Sequence, residues 1–196
     1  MTENQPEAPA FQRIVFVTGN AGKFAEIKEI LAAVGIEAVQ NDGDYPEIQA
    51  DDLEPIAAYS AKAAAEDLQI PVLVDDSGLF IKALNGFPGP YSRFTEDHLG
   101  NPRVLKLMEN ETNRDAYFKT VIAFCEPGKE PRTFSGTVDG KIAFEERGGG
   151  GFGFDPIFDY NGQTFGELGT DFKNTISHRR RALDKFIEWV KDRQHC

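Results

Sequence analysis

The chain has 196 residues, 40% of them hydrophobic, enough to bury the core of one large domain or of two lobes sharing a core. Its formal net charge of −11 and pI near 4.8 give a long-range field that repels nucleic-acid polymers and anionic membrane surfaces, so neither is expected as a partner. Two cysteines, Cys125 in an apolar run and Cys196 at the end, make no disulfide framework, and no apolar run approaches the length of a membrane span. The start lacks the layout of a signal peptide, so we expect a soluble, cytoplasmic protein with a disordered tail over residues 1–10 and a single domain over residues 11–196.

Ile14 to Val17 reads as a short apolar strand, and Phe24, Ile27, Ile30, Leu31 and Val34 fall on helical spacing behind it. Between them lies Thr18-Gly19-Asn20-Ala21-Gly22-Lys23, a glycine-rich turn with a hydroxyl, an amide and a lysine. Backbone N–H groups at a helix N-terminus attract anions and Lys23 adds charge, so phosphate is one guest for this turn. An ordinary tight turn is the other reading, because Gly and Asn are common in turns, and the spacing fits neither the Walker pattern nor the dinucleotide fingerprint. Ile36 to Gln40 reads as a second strand, the polar stretch 41–46 as a loop leading to Glu47, and a helix is expected from about Asp52 to Leu68.

Pro71 to Val74 reads as a strand that ends at Asp75-Asp76-Ser77-Gly78-Leu79. Two adjacent carboxylates there call for a metal ion or a proton, unless one Asp merely caps a turn in which Gly78 takes a positive φ. Gly86 to Phe94 is a rigid Gly/Pro/aromatic loop whose Arg93 either reaches phosphate or pairs with acidic neighbours. A helix follows from about Asn101 to Asn110, then strands at Ala116–Phe124, Arg132–Val138 and Lys141–Phe144 that form an antiparallel meander. Arg147 to Phe158 holds five glycines in six positions, together with phenylalanines and an Asp-Pro step. A flexible linker would have the glycines but not the aromatics, which suit a loop that stacks a planar base. The last helix is expected from Asn174–Thr175 to Gln194. The cluster Lys173, Ser177, His178 and Arg179 at its start opposes the helix dipole unless an anion is bound.

Taken together, Thr18 to Lys23, Asp75 to Gly78, Gly89-Pro90-Tyr91-Ser92, Gly151 to Pro156 and Ser177-His178-Arg179 resemble, in order and over nearly the whole chain, the motifs of the inosine triphosphate pyrophosphatase family. The resemblance implies an α/β fold, elongated and two-lobed, with a central mixed sheet flanked by helices, assembled as a homodimer and using Mg²⁺. It implies hydrolysis of non-standard purine nucleoside triphosphates (ITP, dITP, XTP) to the monophosphate and pyrophosphate. By position it implies that Thr18, Gly19, Asn20 and Lys23 hold the triphosphate, that Glu47 is a metal-associated acid, and that Asp76 is general base and metal partner with Ser77 touching substrate beside it. Phe152, Gly153, Phe154 and Asp155 match the base loop, with Phe154 stacking on the purine, and Lys173, His178 and Arg179 match the residues that close it. Two other classes remain open: a pyrophosphatase of modified pyrimidine nucleotides, and a catalytically silent nucleotide-binding module.

Overall fold

A computed structural model describes residues 12–193, so the tail over residues 1–10 and the expected helix end at Gln194 lie outside the described residues. In chain order the elements are β1 (Arg13–Val17), α1 (Ala21–Ala32), β2 (Glu37–Asn41), α2 (Leu53–Leu68), β3 (Val72–Ile81), α3 (Ser92–His98), α4 (Gly100–Leu107), β4 (Asp115–Cys125), β5 (Arg132–Ile142), β6 (Phe158–Tyr160), β7 (Gln163–Thr164), α5 (Phe165–Leu168), α6 (Thr170–Ile176) and α7 (His178–Asp192). The strands form one mixed seven-stranded sheet in the order β2-β1-β3-β4-β5-β6-β7. β1 pairs in parallel with both β2 and β3, and every later pairing is antiparallel. The α/β class with a mixed sheet flanked by helices is thus the observed architecture.

Alternation along the strands sorts the core onto two faces. Ile14 and Phe16 of β1 and Ile122 and Phe124 of β4 pack with Ile27, Ile30 and Leu31 of α1 and with Leu183, Phe186 and Val190 of α7. On the other face Val72 and Val74 of β3 and Val121 and Ala123 of β4 meet the alanine face of α2, whose small residues Ala57, Ala61, Ala64 and Ala65 let the helix lie close to the sheet. A third cluster, containing Leu79, Ile81, Phe118, Val138 and Phe158, fills the far half of β3, β4 and β5. Gly136 of β5 makes room for α7, since a β-carbon there would stand 2.2 Å from the carbonyl oxygen of His178.

Three element boundaries differ from the sequence expectation, each for a physical reason. The strand entered at Val72 does not end before Asp75 but runs to Ile81, with Asp75 and Asp76 opposite Ile122 and Val121 of β4. Gly78 is needed for close approach and not for a positive φ, because a β-carbon there would meet the Gly89 carbonyl oxygen at 2.3 Å. The expected strand at Lys141–Phe144 is the end of a single β5, which passes through Gly140 under the ring of Phe158. The last helix is broken at Ser177, whose ψ of 160° is extended and whose hydroxyl accepts from Arg180 N–H. An N-cap inside the basic segment therefore starts a second helix and leaves Lys173 on a separate one.

Candidate active site

The last paired residue of β1, Val17, lies beside Val74 of β3, and β1 stops there while β3 continues. Beyond that step β3 has β4 on one side only, and an open crevice forms at the carboxyl ends of the parallel strands. Thr18 to Lys23 enter α1 at this point. Asn20 is the N-cap: its side-chain oxygen accepts from Lys23 N–H at 3.0 Å, while Thr18 Oγ1 accepts from Asn20 N–H at 3.1 Å. The cap fixes the turn so that Lys23 Nζ reaches Asp75 Oδ1 at 3.2 Å.

The pleat of β3 splits the two aspartates between the faces of the sheet. Asp75 points to the α1/α7 side, where Arg179 Nε donates to its Oδ2 at 3.2 Å and Ser77 Oγ donates to the same oxygen at 2.9 Å. Ser77 Oγ lies 2.6 Å from Thr120 Oγ1 and accepts from Arg179 Nη2 at 3.1 Å. Burial works against charge on Asp75, but Lys23 and Arg179 outweigh it and hold this carboxyl below the usual carboxylate range. Asp76 faces the other way. Its Oδ1 accepts from Ser77 N–H at 2.9 Å, and its buried Oδ2 has no partner. Burial, reinforced by the like charges of Asp75 and Glu47, pushes the Asp76 carboxyl up to about 7, with Lys23 pulling the other way.

The base loop, α6 and α7 complete the far wall through a buried ion network. Lys173 Nζ lies 2.9 Å from Glu26 Oε1 and 2.6 Å from Asp155 Oδ2, and Arg179 pairs with Glu26 Oε2 as well as with Asp75. Asp155 Oδ2 also accepts from Phe152 N–H at 2.8 Å, which ties the glycine-rich loop to α6. The ring of Phe152 covers Gly22 at the start of α1 and lies 4.5 Å from Lys173 Nζ, a cation–π distance. His178 stacks on Phe118 with ring centroids 4.7 Å apart. Its Nδ1 is buried without a partner, and burial together with Arg179, Lys173, Lys23 and Arg181 keeps the imidazole neutral well below its ordinary pKa.

Most of these groups border one cavity of about 490 Å³, the size of a small-ligand site. Thr18, Gly19, Asn20, Lys23, Glu47, Asp76, Ser77, Phe152, Gly153, Phe154, Asp155, Lys173, His178 and Arg179 all line it, so every residue singled out for the site is brought to one place. Arg93, left open by the sequence, lines it too, but its Nε pairs with Asp97 Oδ2 at 2.9 Å, whereas Lys62 lies on an exposed face with Glu130. Phe154 has a second role: only 4% exposed, it packs with Leu79, Val104 and Ile157, so Phe152 carries the more accessible ring. The sequence reading missed Glu26, which joins Lys173 to Arg179. Its signal was a carboxylate on the buried stripe of α1, one turn before Ile30. It also missed Glu96 of α3, which enters the same cavity.

The sequence profile of the Ham1 family matches residues 14–189, a span that contains every residue of the cavity. The chain belongs to the Ham1 family. A relative from Methanosarcina mazei named dITP/XTP pyrophosphatase is 69% identical over 177 residues, covering 90% of this chain and 96% of that one. One of the same name from Methanopyrus kandleri is 56% identical over 182 residues, covering 92% and 97%. Among solved structures, the Staphylococcus aureus Ham1 protein superposes with a TM-score of 0.80 at 34% identity, covering 92% of this chain and 99% of that one. The dITP/XTP pyrophosphatase from Mycobacterium abscessus has a TM-score of 0.71 at 29% identity, covering 89% and 98%. The five motifs that resembled the inosine triphosphate pyrophosphatases all fall inside the matched Ham1 span.

Proposed function

We propose that the protein hydrolyses non-standard purine nucleoside triphosphates, with dITP, ITP and XTP as substrates, to the monophosphate and pyrophosphate, and so cleanses the nucleotide pool. The observation that carries this reading is one cavity lined by a capped, lysine-bearing helix N-terminus, an aromatic glycine-rich loop and a buried carboxyl oxygen without a partner, Asp76 Oδ2. Thr18, Gly19, Asn20 and Lys23 bind the triphosphate. Asp76, oriented through its Oδ1 by Ser77 N–H, uses Oδ2 to take a proton from the attacking water.

Among the described residues no group of three or more His, Cys, Asp or Glu could hold a metal ion, but Glu47 lies close enough to Asp76 for its charge to raise the Asp76 carboxyl. One or two carboxylates plus substrate phosphates is the donor set Mg²⁺ prefers, so the residues present fit that ion. Bound there, Mg²⁺ supplies neutralisation of phosphate charge. At the base end Phe152 stacks on the purine, while His178 Nδ1 and the Arg179 guanidinium meet its polar edge. Adenine presents a donor where hypoxanthine and xanthine present a 6-oxo acceptor, which leaves facing donors unpaired. A homodimer in the cytoplasm completes the proposal. Among the described residues no helix is long and apolar enough to cross a membrane.

Pyrophosphate release from a panel of nucleoside triphosphates, with and without Mg²⁺, tests the reading. Preference for ITP, dITP and XTP over ATP and GTP is expected. Preference for a modified pyrimidine nucleotide, or binding without release, would favour one of the two alternative classes. Light scattering of the purified protein decides the oligomeric state.

A further inference from the structure

The glycine-rich base loop is held from two sides, and only one of them belongs to the ion network. Asp155 accepts from Phe152 N–H and ties the loop to Lys173 of α6. From the other side Asn101, the second residue of α4, donates from Nδ2 to the Gly153 carbonyl oxygen at 3.1 Å. Among the described residues this is the one hydrogen bond that Gly153 makes. Gly153 has a φ of 62° and stands between the more accessible ring of Phe152 and the buried ring of Phe154, so its carbonyl lies at the turn that parts the two.

A carbonyl oxygen can only accept, which fixes the Asn101 amide with its nitrogen towards the loop and its Oδ1 turned away. That Oδ1 is buried without a partner. An unpaired buried acceptor costs stability, so the amide is retained against a local penalty that an apolar side chain would avoid, and what the apolar side chain would lose is the hold on Gly153. The helix is a firm base for this contact, since Val104 and Met108 of the segment that follows are buried in one cluster with Phe154 and Ile157. Asn101 itself lies behind the cavity wall and reaches a ligand only through the loop. We propose that Asn101 is the positioning residue of the base loop, setting through the Gly153 carbonyl where the Phe152 ring stands and so the affinity for the base of a nucleotide. The assignment rests on the nucleotide reading given above and adds to it a residue of α4 that acts on the base alone, with no part in holding the sugar or the phosphates.

Kinetics of pyrophosphate release from ITP and dITP, on Asn101→Ala and Asn101→Asp in the wild-type and Phe152→Ala backgrounds, test this. Asn101→Ala should raise KM for both substrates alike by about fivefold, the worth of one neutral hydrogen bond, with kcat within about twofold, because binding energy is lost equally before and in the transition state. Asn101→Asp should raise KM further, since its carboxylate sets an acceptor against the Gly153 carbonyl oxygen. Inhibition by inorganic tripolyphosphate, which has the phosphates but no base, should stay within about twofold of wild type in Asn101→Ala. In the Phe152→Ala background Asn101→Ala should be nearly silent, the ring it positions being absent. An unchanged KM in Asn101→Ala, the same rise with and without Phe152, or an equal loss of tripolyphosphate affinity with a lowered urea midpoint would overturn the assignment and leave the nucleotide reading standing. Absence of pyrophosphate release from either substrate in the wild type would refute the nucleotide reading and the assignment with it.

Discussion

Replacing Glu26 by Gln tests whether the buried ion network is the closed system the distances describe. Three carboxylates, Glu26, Asp75 and Asp155, face three cations, Lys23, Lys173 and Arg179, in a chain of contacts that cancels in charge. Glu26 is held below the usual carboxylate range, since burial, which opposes its charge, is outweighed by Arg179 and Lys173. Glutamine keeps the shape but offers one acceptor oxygen where two are in use, so its NH₂ must turn towards either Lys173 or Arg179 and one buried positive charge is left uncompensated. Breaking a buried pair from one side costs about 3–5 kcal/mol. Lys173 retains Asp155 and Arg179 retains Asp75, so we expect the lower end, about 3 kcal/mol. Urea denaturation at neutral pH reads this as a lower midpoint at constant slope. The loss should persist in high salt, because buried pairs are poorly screened, whereas Glu130→Gln at the surface pair with Lys62 should leave the midpoint unchanged. A loss under about 1 kcal/mol for Glu26→Gln would show that the network is open to water and that its charges are independently solvated.

Three further outcomes are expected. Asp76→Asn should fold normally and lose about 10²–10⁴-fold in turnover, the usual contribution of a general base, and near-full activity at saturating Mg²⁺ would remove Asp76 from that role. Phe152→Ala should weaken purine nucleotide binding by about 1–3 kcal/mol with little change in stability, whereas Phe154→Ala should destabilise the fold by about 3–5 kcal/mol; binding titrations and denaturation curves on both variants separate the two rings. His178 is neutral in the folded state, so below about pH 6.5 the unfolded chain binds a proton that the native protein does not. The stability advantage of wild type over His178→Gln should therefore shrink as pH falls, by about 1.4 kcal/mol per unit, until the native imidazole itself protonates. Paired urea curves between pH 7.5 and 5 check this, and a constant gap would contradict the buried neutral ring.

Much of the site was legible because its parts are local. The turn from Thr18 to Lys23, the paired aspartates and the aromatic glycine loop each carry their chemistry within a few residues, and the order of the motifs pointed to the family. What escaped was long-range. Glu26 reads as one more charge on a helix until Lys173 and Arg179, far along the chain, are seen to surround it. β3 was cut short because two carboxylates in mid-strand look prohibitive, and nothing local announces that Lys23 and Arg179 neutralise one of them while the pleat turns the other away. The break at Ser177 was hidden by a pattern of helical spacing that continues across it, although serine is a good N-cap. The roles of Phe152 and Phe154 were not separable, since composition tells that a loop stacks something but not which ring faces the core.

The division of Asp75 from Asp76 by the pleat makes the spelling of β3 unforgiving to length. Adjacent residues serve opposite sides of the sheet, one anchoring Arg179 and the other presented beside Glu47. Inserting a single residue between Val74 and Asp75, with the pairing of Val72 to Val74 on β4 retained, would exchange their sides. Asp75 would then face α2 without its cations, and Asp76 would face Arg179 in its place. An uncharged insertion leaves the net charge unchanged, yet the acid proposed as the base and the acid that holds Arg179 would have traded places. Conservative substitution is a mild event at this strand compared with a change of phase.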